Sequence, residues 1–190
     1  MSLLWLPIDL PKFPTENLDL IPDTHWAYWK FKKLTNSTER LYQKTDIIDD
    51  IKIKYPEIVS WFRLFPYKNI RNIKFNLQLS EVGAHIDFTD PSADPELHNN
   101  NAVNEPCGYR VLLRGKRSNA LYVMNDDKKI YVELPEETDV YILGHTNVLH
   151  GVEYDPGRLT LFTHFEIDES LHQLLVEKSL EKYSRYAIYS

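Results

Sequence analysis

The chain has 190 residues, 43% hydrophobic, 26% charged and 13% aromatic, with a formal net charge of −6. That is enough for one domain with a sizeable core and short for two, and it excludes a disordered or fibrous chain. The acidic balance argues against a nucleic-acid partner, and the single Cys107 excludes an intrachain disulfide.

Residues 1–30 are rich in proline and carry Trp5, Trp26 and Trp29, the pattern of an extended arm laid over the surface. The first residues lack a basic leader region, with prolines at 7, 11 and 14. No stretch approaches the roughly 20 apolar residues that span a bilayer, so a soluble, cytoplasmic protein with no membrane partner is expected. Ile47, Ile48, Ile51, Ile58, Trp61 and Phe62 follow a helical period broken by Pro56, which predicts two short helices.

Short β-like runs then follow one another: Ile73–Leu79, Gly83–Phe88, Tyr109–Leu113, Ala120–Met124, Lys129–Leu134, Asp139–Leu143, Leu149–Tyr154 and Arg158–Ile167. Turn signals separate them, among them Arg114-Gly115, Asn125-Asp126-Asp127 and Asp155-Pro156-Gly157. Eight such strands with no helix-length insertion predict a sandwich or jelly-roll barrel. The one long connection, 89–108, is a candidate functional loop; its Asp90, Asp94, Glu96 and Glu105 suit a neutral or basic substrate. Leu171, Leu174, Leu175, Leu180 and Tyr183 recur at helical spacing, which predicts a C-terminal helix against the barrel. The whole reads as one domain over 1–190, with an N-terminal arm and helices in 1–72, a β core in 73–167 and a terminal helix in 168–190.

The chemistry gathers at His85-Ile86-Asp87. Residues i and i+2 of a strand share a face, so His85 and Asp87 can share one metal ion. His150 opens another predicted strand; two imidazoles and one carboxylate leave three octahedral positions open, as non-haem Fe(II) requires for a bidentate co-substrate and dioxygen. Alone, a His-x-Asp occurs by chance in many chains, and a solvated strand face is the commoner explanation. Eight residues after His150, Arg158-Leu159-Thr160 places an Arg and a hydroxyl on one face. An Arg fork binds a carboxylate bidentately, and a buried Arg requires an anion, which a dicarboxylate would supply. The competing reading makes that face the solvent face.

His85-x-Asp87, His150 and Arg158-x-Thr160, carried on short strands, resemble the Fe(II)/2-oxoglutarate-dependent dioxygenase superfamily over residues 73–167. The 62 residues between Asp87 and His150 fit its spacing. The sweep from Tyr109-Arg110-Val111-Leu112-Leu113 through Asp139-Val140-Tyr141 is nearest to the aspartyl/asparaginyl β-hydroxylase-like branch. The best-known members of that branch lack the acidic ligand, whereas this chain has Asp87. The resemblance implies a mainly β, double-stranded β-helix (jelly-roll, cupin-like) barrel with flanking N- and C-terminal helices. It implies iron on His85, Asp87 and His150, and 2-oxoglutarate on Arg158 with Thr160. Arg110 falls where the branch places basic residues near co-substrate or substrate; a barrel-exterior Arg paired with a surface acid fits its position equally well. The implied reaction is hydroxylation of an amino-acid side chain, free or in a protein, with release of succinate and CO2.

Two other classes fit parts of the pattern: a cupin-like barrel that binds a small molecule without catalysis, and a mononuclear iron oxygenase that uses no keto acid. Arg158-Leu159-Thr160 separates them, since neither needs a dicarboxylate clamp. Asn76, Gln78 and Ser80 share a strand face that reads best as solvent-facing. His145 reads as a turn residue near the pocket rim and His164 as a core histidine, while His25, His98 and His172 have no partner at metal-like spacing.

Overall fold

The computed structural model describes residues 1–14, 56–78, 81–86, 109–144 and 148–190. The described chain is mainly β, built as two antiparallel sheets. In chain order the elements are β1 (Leu3–Pro7), α1 (Pro56–Phe62), β2 (Tyr67–Leu77), β3 (Val82–His85), β4 (Tyr109–Arg114), β5 (Ser118–Asn125) and β6 (Lys128–Glu133). They continue with β7 (Val140–Leu143), β8 (His150–Val152), β9 (Leu159–Ile167), α2 (Glu169–Tyr183), a 3-10 turn (Ser184–Tyr186) and β10 (Ile188–Tyr189). The larger sheet runs β10-β1-β7-β4-β9-β2, and the smaller runs β3-β8-β5-β6.

Alternation assigns the faces. On β4, Tyr109 and Val111 enter a cluster with Leu6, Ile8, Trp61, Phe62, Leu159 and Leu161, against which Leu175, Val176 and Leu180 of α2 pack. Leu112 points the other way, into a second cluster with Trp5, Leu121, Val123, Val132, Tyr141 and Leu143, which both sheets contribute. The larger sheet is therefore covered on both faces, one by helices and one by the smaller sheet. Its strands β1 (Leu3–Pro7) and β7 (Val140–Leu143) accordingly lack the polar alternate row of a solvated sheet.

The amino-terminal segment is extended, but it is not a surface arm. β1 lies inside the larger sheet between β10 and β7, and Trp5, Leu6 and Ile8 are fully buried. A side chain at Gly144 would overlap the Leu3 backbone, so β1 docks only because that residue has no Cβ. Beyond the strand, Thr138 Oγ1 donates to the Ile8 carbonyl at 2.7 Å, and the Phe13 amide donates to the Asp139 carboxylate at 3.0 Å. The Trp61 indole donates to the Pro11 carbonyl at 2.9 Å and joins α1 to the same segment.

Helix α2 is capped by Asp168, whose carboxylate accepts the Leu171 amide. It is tethered by Lys178 and Lys182 to Asp9 at 2.9 and 2.6 Å. Its inner anchor is a hydrogen bond of 2.7 Å between the buried Tyr109 hydroxyl and His172 Nδ1. Burial lowers the His172 pKa below its ordinary value and pushes the Tyr109 phenol well above its own. His172 is thus neutral in this contact, with the direction of the bond set by its ring tautomer. Because the unfolded state binds the proton more tightly, this contact stabilises fully above the ordinary histidine pKa. Its contribution falls as pH drops through that value toward the depressed one. Urea unfolding should show stability declining between about pH 7 and 5, and His172→Gln, which keeps an acceptor but cannot titrate, should flatten the decline.

Candidate functional site

His85 closes β3 and His150 opens β8, and the two are register partners. His150 also pairs with Val123, a fully buried member of the cluster between the sheets. Direct partners in an antiparallel pair share a face, so both imidazoles lie on the inner face of the smaller sheet. Their ring centroids are 4.6 Å apart with planes tilted by 45°. His85 Nδ1 donates to the Gly83 carbonyl and His150 Nδ1 to the Val148 carbonyl, each at 2.9 Å. A carbonyl oxygen can only accept, so each Nδ1 carries the proton and each Nε2 carries the lone pair. Fixing the tautomer through the far ring nitrogen is what a metal-binding histidine requires. The donor set thus fits a divalent ion.

Asp87, assigned as the third ligand, lies outside the described residues, as do His25, His98, Cys107, His145 and loop 89–108. Among the described residues, no group of three His, Cys, Asp or Glu side chains could hold a metal ion.

The opposite wall is the larger sheet. Arg110 stands two residues before Leu112 on β4 and pairs with Tyr141, both members of the inter-sheet cluster, so it faces inward; it is 8% exposed. Thr160 pairs with Leu112 and therefore shares that face. Gln78, expected on a solvent face, is half-buried and crosses to the smaller sheet, where its Nε2 donates to the Glu153 carbonyl at 2.8 Å. The space between the sheets is thus divided. Near β1, β5, β6 and β7 it is filled by apolar side chains; near β3, β8, β9 and the end of β2 it holds His85, His150, Thr160, Gln78 and Arg158. The fully buried polar side chains on that side, His150 and Arg158, each donate to a backbone carbonyl.

Arg158 is 4% exposed, just ahead of β9. Its Nη1 donates to the Lys116 carbonyl at 2.9 Å and lies 3.6 Å from the Asp155 carboxylate, which also accepts the Lys116 amide at 2.7 Å. Arg158 is therefore buried, as a clamp would be, but the anion that permits its burial is already in the chain. Asp155 read in the sequence only as the start of a turn. The sole hint was its position three residues before Arg158. Trp5 was missed for a different reason: its proline-rich context suggested a superficial segment.

Gly151 sits between His150 and Val152 with its α-carbon against the ring of Tyr122, on the outer face. A Cβ there would lie 2.5 Å from Tyr122 Cζ and 2.7 Å from the Val82 carbonyl oxygen. Tyr122 in turn packs edge-on against Tyr131 and under Lys129. Gly151→Ala should therefore destabilise the fold by about 1–3 kcal/mol in urea unfolding. It should also weaken metal binding, by pushing β8 and His150 away from β3.

No family model matches the sequence, and no curated protein matches it.

Proposed function

We propose that the chain is an Fe(II)- and 2-oxoglutarate-dependent oxygenase built on a double-stranded β-helix. The strand order supports the fold: β2-β9-β4-β7 in one sheet and β3-β8-β5-β6 in the other are eight strands whose connections cross between the two sheets except at the β5–β6 hairpin, as in a jelly roll. The observation that carries the function is the His85–His150 pair, opposed on the inner face with both Nδ1 protons committed to backbone carbonyls.

His85, Asp87 and His150 would hold the metal, the two imidazoles through Nε2. Bound Fe(II) supplies the redox chemistry that couples decarboxylation of 2-oxoglutarate, giving succinate and CO2, to transfer of one oxygen atom from dioxygen into a substrate C–H bond. The protein's work is positional. Arg158, with the Thr160 hydroxyl on the same face, receives the distal carboxylate. Arg110 places a second positive charge on the same wall, and the apolar half of the interior keeps water out. The substrate class, an amino-acid side chain that is free or peptidyl, rests on the resemblance to the aspartyl/asparaginyl β-hydroxylase-like branch.

The Asp155–Arg158 contact favours a second reading, in which Arg158 is a structural cation and the iron works without a keto acid. One assay separates the two. Protein, Fe(II) and dioxygen are incubated with free amino acids and peptides, and in parallel with nucleobases and lipids, with and without 2-oxoglutarate. The first reading predicts succinate and a product heavier by one oxygen atom only when 2-oxoglutarate is present. Product formed equally without it establishes the second, and oxidation confined to nucleobases or lipids overturns the substrate assignment.

A further inference from the structure

The outer face of the smaller sheet carries a tyrosine pair that the proposed chemistry does not use. Tyr122 of β5 is 3% exposed, and its ring lies on Gly151, the residue that follows His150; a Cβ there would stand 2.5 Å from Tyr122 Cζ. Tyr131 of β6 is its register partner, with ring centroids 6.0 Å apart and planes at 71°. Tyr131 is 43% exposed, and its hydroxyl donates to the Glu153 carboxylate at 2.9 Å. Lys129 Nζ holds the same carboxylate oxygen at 2.7 Å. Cross-strand aromatic pairs stabilise many sheets, and packing alone accounts for the ring contact. Here the pair also runs from the backbone beside a proposed iron ligand to solvent, with a carboxylate on the outer phenol. A phenol that gives up an electron becomes a strong acid, so its oxidation requires a base in hydrogen-bond contact, and Glu153 is one.

We propose that Tyr122 and Tyr131 carry electrons from solvent to the iron site, so that an external reductant of the ascorbate class restores Fe(II) when dioxygen is activated with no substrate bound. This rests on the 2-oxoglutarate reading. In such an event 2-oxoglutarate becomes succinate and CO2, and the site is left oxidised by two electrons and holding one oxygen atom. Each electron arrives in one cycle. Tyr122 passes an electron inward across β8, Tyr131 refills Tyr122, and the Tyr131 proton moves to Glu153. Ascorbate then reduces the neutral Tyr131 radical, and Glu153 returns the proton. Two cycles, with two protons taken up at the site, restore Fe(II) and release the oxygen atom as water. Ascorbate, having lost two electrons and two protons, leaves as dehydroascorbate. The iron-binding side chains are thereby spared oxidation by their own metal.

The test supplies the Fe(II) protein with 2-oxoglutarate and dioxygen but no substrate, and follows succinate and, in freeze-quenched samples, electron paramagnetic resonance. The wild-type protein should form succinate and a tyrosyl radical that ascorbate discharges. Tyr122→Phe keeps the ring on Gly151 but resists oxidation. It should form succinate at the initial wild-type rate, which reports an intact fold and site, and lose the radical. Glu153→Gln keeps an acceptor for the Tyr131 hydroxyl but not a base, and it should weaken the signal. Succinate without a tyrosyl radical, or with a radical undiminished in Tyr122→Phe, overturns the proposal and leaves the 2-oxoglutarate reading standing. Should Tyr122→Phe lose succinate as well, Glu153→Gln decides: an undiminished radical there overturns the proposal. A folded, iron-loaded wild-type protein that forms no succinate overturns the 2-oxoglutarate reading, and the electron path with it.

Discussion

His85→Ala and His150→Ala are each expected to lower Fe(II) affinity more than 100-fold, beyond the 10–100-fold typical of losing only an outer-shell partner. The two should differ in stability. His150 is 5% exposed and packed beside Val123, so its truncation opens a cavity and leaves the Val148 carbonyl without its donor. That should cost about 1–3 kcal/mol. His85 is half-buried at a strand end, where its Nδ1 donates to the nearby Gly83 carbonyl, so its variant should unfold closer to the wild-type midpoint. Calorimetric Fe(II) titration together with urea unfolding checks both. Equal metal affinity in the folded His85 variant removes that histidine from the site. Asp87→Ala should abolish coupled oxidation in the same way, as the loss of the one anionic ligand.

The second large effect concerns Arg158. Removing it deletes a proposed carboxylate anchor and also leaves Asp155 buried without its cation, a loss of about 3–5 kcal/mol for pairs of this kind. Arg158→Ala alone therefore confounds binding with folding. Asp155→Asn in the same chain removes the stranded charge but keeps a side-chain oxygen to accept the Lys116 amide. The double variant is expected to recover much of the lost stability and none of the 2-oxoglutarate affinity, a coupling that a double-mutant cycle measures. If affinity returns along with stability, Arg158 acts only as a latch between the β4–β5 and β8–β9 turns.

How much of this was legible in the sequence differs from element to element. Tyr109–Leu113 and Asp139–Leu143 were read within a residue of β4 and β7 because dense β-branched and aromatic runs end at clear turn residues. β2 begins at Tyr67, six residues before its expected start at Ile73. Two register shifts, at Tyr67/Asn69 and Ile70/Asn72, interrupt the two-residue period on which such a reading depends. β1 was hidden by its prolines. Pro7 is tolerated because it pairs with Tyr141 on one side and lies past the end of β10 on the other, where no ladder bond is lost.

At the site, the juxtaposition of His85 and His150 followed from their residue types and their positions on strands. No pattern gave the tautomers, which depend on backbone carbonyls two residues upstream in each case. Nor could spacing settle the environment of Arg158, since whether a buried cation serves a ligand or a neighbouring carboxylate depends on how the 153–157 turn folds back onto Lys116. Arg110 was open between barrel interior and exterior; its pairing with Tyr141 places it inside.

The central claim is that a keto acid chelates a metal held by His85, Asp87 and His150. Anaerobic titration of the apoprotein, first with Fe(II) and then with 2-oxoglutarate, tests it most directly through the visible spectrum. The account predicts a weak charge-transfer band that needs both additions and is lost in His85→Ala. A folded, iron-loaded protein that develops no such band contradicts the account.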